Sequence, residues 1–353
     1  MRFKMEYESN YPEVKSGRMN IYQVFFGLVG RITNENGVVA FIHPKTLLSD
    51  SYLSATRNYL LYQFNGITIL NIVNRHNVFD NVLQAVIVSI WQKPKEKRYK
   101  VAEIQNKKDL ADTKYIELTF GQFVDAENKF IVSGNKVVYD IIEKVSNLKT
   151  ERCNFKTGSY EWNKYKDFLS EKPKKNSARF IYGENIQRFA FEESKKRIST
   201  TFITGADLNY LDTIAIITQR TTSSEQEWRI FATIINPSDF DRKICTENST
   251  NVFAVTNLET AKYYLGVLNS KFTDFYFRIF NSNTHVSSGE LNALPIPQAT
   301  AAQQKPIITL VDKILAAKKT DANADTTDLE KQIDVLVYKL YDLTEGEISV
   351  IEK

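Results

Sequence analysis

The sequence predicts an α/β region followed by an α+β region, closed by a C-terminal helical hairpin. Three observations carry this. Helical and strand-like apolar patterns alternate over residues 20 to 93. Short strand candidates separated by polar loops occupy residues 100 to 300. Residues 301 to 353 repeat apolar positions at helical spacing.

In the first region Tyr22, Phe25, Phe26, Val29 and Ile32 recur as on one helix. Gly37 breaks that pattern, and Val38-Val39-Ala40-Phe41-Ile42 reads as a strand buried on both faces of a parallel sheet. Pro44 ends the run, Leu53, Leu60, Leu61 and Phe64 predict a second helix, and strands are expected at Ile67 to Val73 and Ala85 to Trp91. Lys93 to Lys100 reads as a linker. Beyond it, strands are expected at Thr213 to Thr218, Arg229 to Ile235 and Val252 to Thr256. One amphipathic helix is expected over Thr260 to Phe280, and Leu294-Pro295-Ile296-Pro297 stops it from continuing. Ile307, Leu310, Val311, Ile314 and Leu315 mark a further helix. Thr327 with Glu330 opens the next as a capping box, and Thr344 with Glu347 repeats the signature. The expected division is 1–93, 94–300 and 301–353.

Composition narrows the function. No run approaches the roughly 18 apolar residues of a membrane span, and the amino terminus lacks a signal-peptide pattern, so a cytoplasmic protein with no membrane partner is expected. Cys153 and Cys245 are too few for a disulfide framework, and His43, His76 and His285 have no metal-ligand spacing. Residues 321 to 353 hold nine acidic and three basic residues, a net of −6. Against a whole-chain charge of +4, the remaining residues carry +10. A basic body suits a polyanion such as nucleic acid.

Three stretches resemble one family, the adenine-specific DNA methyltransferases of restriction-modification systems with a TaqI-like C-terminal specificity domain. Asn20-Ile21-Tyr22, a helix, and then Gly37 through Ile42-His43-Pro44 is similar to the family segment that follows its catalytic Asn-Pro-Pro-Tyr motif. Asn20 stands where the family has Asp, and Gly37 is single where it often has two glycines. Val78-Phe79-Asp80-Asn81-Val82, with the strand to Trp91, resembles a later element. Ile217-Thr218-Gln219-Arg220-Thr221-Thr222 is similar to the specificity domain's "QRT" strand, and Asn248-Ser249-Thr250-Asn251 to a nearby loop. The order of Leu268-Asn269-Ser270, Leu294-Pro295-Ile296-Pro297 and Ile333-Asp334 to Leu343-Thr344 is the most specific match.

The resemblance implies a C-terminal remnant of a Rossmann-like methyltransferase sheet at 1–93, a mixed target-recognition domain at 94–300 and a C-terminal helical hairpin. It implies S-adenosylmethionine as the family's cofactor and double-stranded DNA as partner. The Asn-Pro-Pro-Tyr motif and the Gly-rich cofactor loop are not found, and Asn236-Pro237 is followed by Ser238. This chain alone is therefore expected neither to bind the cofactor nor to transfer methyl groups. A separate catalytic methyltransferase or endonuclease half is the expected partner. The alternative is a stand-alone specificity subunit that docks on such a half.

Base edges are read by guanidinium and amide groups, with phosphate contacts fixing register. Gln219, Arg220 and Thr221 end a strand and enter a polar loop, and Arg229, Asn248 and Asn251 lie on nearby segments that extend the same surface. Lys156, Lys196, His285, Ser287 and Ser288 are the phosphate candidates.

Overall fold

Trp91 sits at the centre of the amino-terminal unit, fully buried, with Phe26, Phe64 and Phe130 at ring distances of 5.8, 5.9 and 6.2 Å. The computed structural model describes all residues except 1, 18, 74–77, 79–84, 193–200, 206, 224 and 282–283. The chain forms two compact units. The first is Met1–Glu143 with Ile279–Asn283, and the second is Lys144–Arg278 with Thr284–Lys353. The expected boundaries at 93 and 300 do not coincide with these.

In the first unit the order is α1 (Arg2–Asn10), α2 (Ile21–Ile32), β1 (Val38–Pro44), α3 (Ser54–Gln63), β2 (Gly66–Ile72), β3 (Val86–Gln92), β4 (Arg98–Ile104), β5 (Ile116–Leu118), α4 (Phe120–Phe123) and α5 (Lys136–Ser146). Asn20 starts α2 by a capping box with Gln23, whose Oε1 accepts from the Asn20 N–H at 2.7 Å. The strands form one sheet in the order β1-β3-β2-β4-β5. Only β2 and β4 run parallel; the other neighbours are antiparallel.

Two expectations fail here. Residues 93–100 are not a linker, because Arg98 begins β4 inside the same sheet. Nor is β1 buried on both faces: Val38 and Ile42 are about 60% exposed, and among the described residues β1 pairs only with β3. An apolar run at a sheet margin looks the same in sequence as one at the centre. Beside it, Ile21, Phe25, Leu28 and Ile32 form a stripe along α2 that is 37–68% exposed. The segment Val78 to Val82 lies largely outside the described residues.

The second unit opens with β6 (Thr150–Glu151), β7 (Lys156–Thr157), α6 (Trp162–Tyr165), β8 (Leu169–Ser170), β9 (Ala178–Ile181), β10 (Ile186–Gln187), β11 (Ala190–Phe191) and β12 (Phe202–Ile203). It continues with β13 (Ala215–Gln219), β14 (Ala232–Ile235), β15 (Ile244–Thr246), β16 (Thr250–Ala254), α7 (Leu258–Leu268), α8 (Lys271–Phe280), α9 (Ser288–Asn292), β17 (Ile296–Pro297), α10 (Ala301–Thr320), α11 (Thr327–Leu340) and α12 (Glu345–Ile351). Its four-stranded sheets run β14-β13-β16-β7 and β15-β9-β12-β8. The expected single helix over 260–280 is two, broken at Asn269-Ser270. Asn269 bonds the backbone of Ala232 in both directions, at 3.2 and 3.0 Å, instead of prolonging the helix. Lys271 restarts it, its N–H donating to Asp334 of α11 at 2.7 Å. Thr327 is the first residue of α11 and Thr326 precedes it as the cap position, with its hydroxyl on Glu330 at 2.7 Å. The Thr344–Glu347 capping box forms as expected.

Candidate nucleic-acid interface

The β13 strand is buried until Gln219, the point where the sheet ends. Gln219 donates its amide to the Ile186 carbonyl at 2.6 Å. The chain then stays extended. The Arg220 N–H donates to the Ser249 carbonyl at 2.8 Å, and the Val286 N–H to the Arg220 carbonyl at 2.9 Å. Thr221 bridges His285, and the Thr222 N–H donates to Thr284 at 3.0 Å. Two loops far apart in sequence, 248–249 and 284–288, are thus stitched to either side of residues 220–222.

Asn248-Ser249 is held from several directions. The Asn248 N–H donates to Tyr160 at 2.7 Å, and the Ser249 hydroxyl accepts from Gly183 at 2.8 Å. Arg220 reaches this turn through Nη1, 3.1 Å from the Asn248 carbonyl. Its Nε is buried without a partner among the described residues. A buried unsatisfied donor costs about 1–3 kcal/mol. On the adjoining segments Thr221, Thr284 and His285 are exposed, as are Lys156 and Thr157 of β7. The β7 strand pairs with β16 beside the same end, Thr157 opposite Asn251.

Other predicted residues take different positions. Asn251 is fully buried, donating to Thr218 at 3.2 Å and to the Val286 carbonyl at 2.9 Å. It fastens the 284–288 loop to the sheet from beneath, so it does not extend the surface. Arg229 is 1% exposed, with Nε on Thr222 at 3.0 Å and its guanidinium over Phe277 at 5.6 Å. Burial pushes its pKa down to about 10. It is a core arginine, and a strand pattern alone cannot tell which way such a side chain turns. The Ser287 hydroxyl is committed to the α9 cap, donating to Glu290 at 2.7 Å and accepting from the Glu290 N–H at 3.2 Å. Ser288 is half-buried in the first turn of α9. Lys196 lies outside the described residues.

Thr157, Ser249 and Thr284 also stand at this end, on the same stretches as the named residues. A separate concavity of about 720 Å³ holds Arg188, Trp228, Glu330 and Asp334. Arg188 lies 3.7 Å above the Trp228 ring and 2.5 Å from Glu330, and Asp334 accepts from the Lys271 N–H. Its charges compensate one another, which leaves no surplus for a polyanion.

Gly27 and Gly30 of α2 do not offer S-adenosylmethionine a glycine loop. A cofactor loop needs open space where a Cβ would stand. A Cβ at Gly27 would come within 2.8 Å of the Tyr11 ring, and one at Gly30 within 2.5 Å of the Tyr59 hydroxyl. These are packing glycines of α2. Among the described residues no helix is long and apolar enough to cross a membrane.

Residues 1–79 match the family described as Eco57I restriction-modification methylase. The type II methyltransferase M.BsuBI of Bacillus subtilis is 24% identical over 296 residues, covering 79% of this chain and 59% of its own length. The chain is related to restriction-modification methyltransferases. The type IIL restriction-modification enzyme MmeI, solved in complex with DNA, superposes with a TM-score of 0.62 at 14% identity, covering 99% of this chain and 53% of its own. At that identity the likeness establishes shared fold. This chain therefore spans between half and three-fifths of the length of the relatives it matches.

Proposed function

We propose that this chain performs sequence-specific DNA recognition for a restriction-modification adenine methyltransferase, as its TaqI-like C-terminal part. The observation that carries the reading is the Arg220 junction. A strand end, a held turn and a stitched loop place one guanidinium with a free buried Nε among exposed Thr221, Thr284 and His285. Arginine reads guanine bidentately, and the surrounding hydroxyls and imidazole suit backbone contacts. Gln219 and Asn248 complete the reading surface, Lys156 contacts phosphate beside it, and Ser288 borders it.

In this reading the methyl group comes from S-adenosylmethionine held by residues other than Gly27 and Gly30 of α2, whose Cβ positions are filled by Tyr11 and Tyr59. The exposed α2 stripe and the open margin of β1 favour a catalytic segment that covers them. Whether that segment is a preceding part of the same polypeptide or a separate subunit is the difference between the two readings of the sequence.

Electrophoretic or fluorescence titration of the chain with duplex pools, followed by sequencing of the bound fraction, tests the proposal. Enrichment of one short motif is expected. Equal binding of all duplexes would remove the recognition role.

A further inference from the structure

Between β6 and β7 the chain is an extended, pinned segment whose outward face is basic, and the reading above uses only its last residue, Lys156. Glu151 pairs with Ile296 of β17 and receives the Tyr264 hydroxyl at 2.5 Å. Phe155 is gripped by Asn292, which accepts its N–H at 2.6 Å and donates to its carbonyl at 3.1 Å. Lys156 pairs with Val252 of β16. Cys153 and Phe155 point inward, 5% and 2% exposed. Arg152, Asn154 and Lys156 alternate with them and are all exposed. The alternation is that of a strand with one wet face.

We infer that Arg152, Asn154 and Lys156 form a phosphate track that holds one strand of the DNA backbone beside the Arg220 reading end. This rests on the DNA-recognition reading and adds Arg152 and Asn154 to its phosphate candidate Lys156. The spacing supports it. Alternate residues on an extended strand stand about 6–7 Å apart, so Arg152 to Lys156 spans roughly 13 Å. One DNA strand rises about 3.4 Å of helix axis per phosphate while winding round it, which sets neighbouring phosphates about 6–7 Å apart, so the three side chains face a run of three phosphates. Two cations flank a hydrogen-bonding amide, and no ion pair among the described residues neutralises either one. The backbone is fixed at Glu151, Phe155 and Lys156, so little conformational freedom remains to be lost when a phosphate strand lies along it. The track leads to Thr157, which stands at the sheet end with Gln219 and Ser249.

The test uses the full chain and duplex DNA across a salt series. Arg152→Ala combined with Lys156→Ala is expected to weaken binding to every duplex alike. It should lower the slope of log affinity against log salt by about two, roughly one per cation removed. The motif preferred by the wild type should stay the same. Charge-preserving Arg152→Lys with Lys156→Arg should keep most of the slope, and circular dichroism of both variants should match the wild type. If wild type binds and the double-alanine variant keeps its affinity and slope, the track is overturned while DNA recognition stands. A changed motif would make these residues base readers, also overturning the track. If wild type binds no duplex, the recognition reading itself falls and the track falls with it.

Discussion

Asn292 closes both backbone hydrogen bonds of Phe155, accepting its N–H at 2.6 Å and donating to its carbonyl at 3.1 Å. One side chain on α9 thereby substitutes for a neighbouring strand. The same short helix is capped by Ser287, two residues after His285 meets Thr221. Phosphate track and reading loop hang on one helix of five residues.

Asn292→Ala is expected to cost about 2 kcal/mol, at roughly 1 kcal/mol per hydrogen bond. Exchange of the Phe155 amide with deuterium should accelerate. Unchanged exchange would mean that the β6 and β7 pairings hold the segment without help.

Arg220→Ala should lower affinity for the preferred motif by about 1–3 kcal/mol and relax preference at one position. Site selection on wild type and variant decides it. An equal loss on every duplex, with a shallower salt slope, would make Arg220 a phosphate contact.

Arg229→Ala should act on stability, not on readout. Losing its bond to Thr222 and its packing on Phe277 should cost about 2–4 kcal/mol, read by denaturant melts. The folded fraction should select the same motif as the wild type. A shifted motif would bring Arg229 back to the interface.

Acid should move the two units in opposite directions. In the first unit, burial holds the His43 pKa at about 4 against an ordinary 6.5. The folded state binds fewer protons than the unfolded one, so stability is complete above 6.5 and drains as pH falls towards 4. In the second, burial raises Asp334 to about 6 from 3.8. That carboxyl is more protonated when folded, so its stabilisation is complete below 3.8 and is lost as pH rises through 6. Each is worth up to about 3 kcal/mol. Hydrogen exchange between pH 6.5 and 4.5 should show weakening around β1 and β3 and strengthening around α8 and α11. Asp334→Asn should abolish the second trend. Parallel trends in both units would refute the assignment.

The purified chain should not transfer label from S-adenosylmethionine to duplex adenine. Incorporation above background would show that α2 and its surroundings hold a methyl donor after all.

The elements with strong periodicity were legible in the sequence: α2, α3, β2, β3, β13 and the three last helices stand within a few residues of their expected places. So was the kinship, because Leu268-Asn269-Ser270 and the segment to Leu343-Thr344 kept family order. Contacts between distant segments were less legible. Arg152, Asn154 and Lys156 alternate with apolar Cys153 and Phe155, but the stretch is too short to register as a strand, and its partners lie some 95 to 145 residues further along. Arg229 and Asn251 failed for another reason. Polarity predicts a wet side chain, whereas a buried one with well-placed partners is equally polar in sequence.

The α2 stripe has a colloidal consequence. Ile21, Phe25, Leu28 and Ile32 form an adhesive face on a body whose positive charge keeps copies apart. Added salt screens that repulsion and leaves the apolar attraction in place. Raising salt should therefore drive molecules of this chain towards one another while it drives them off DNA, and the most comfortable buffer for the protein alone is the one in which it grips a duplex hardest.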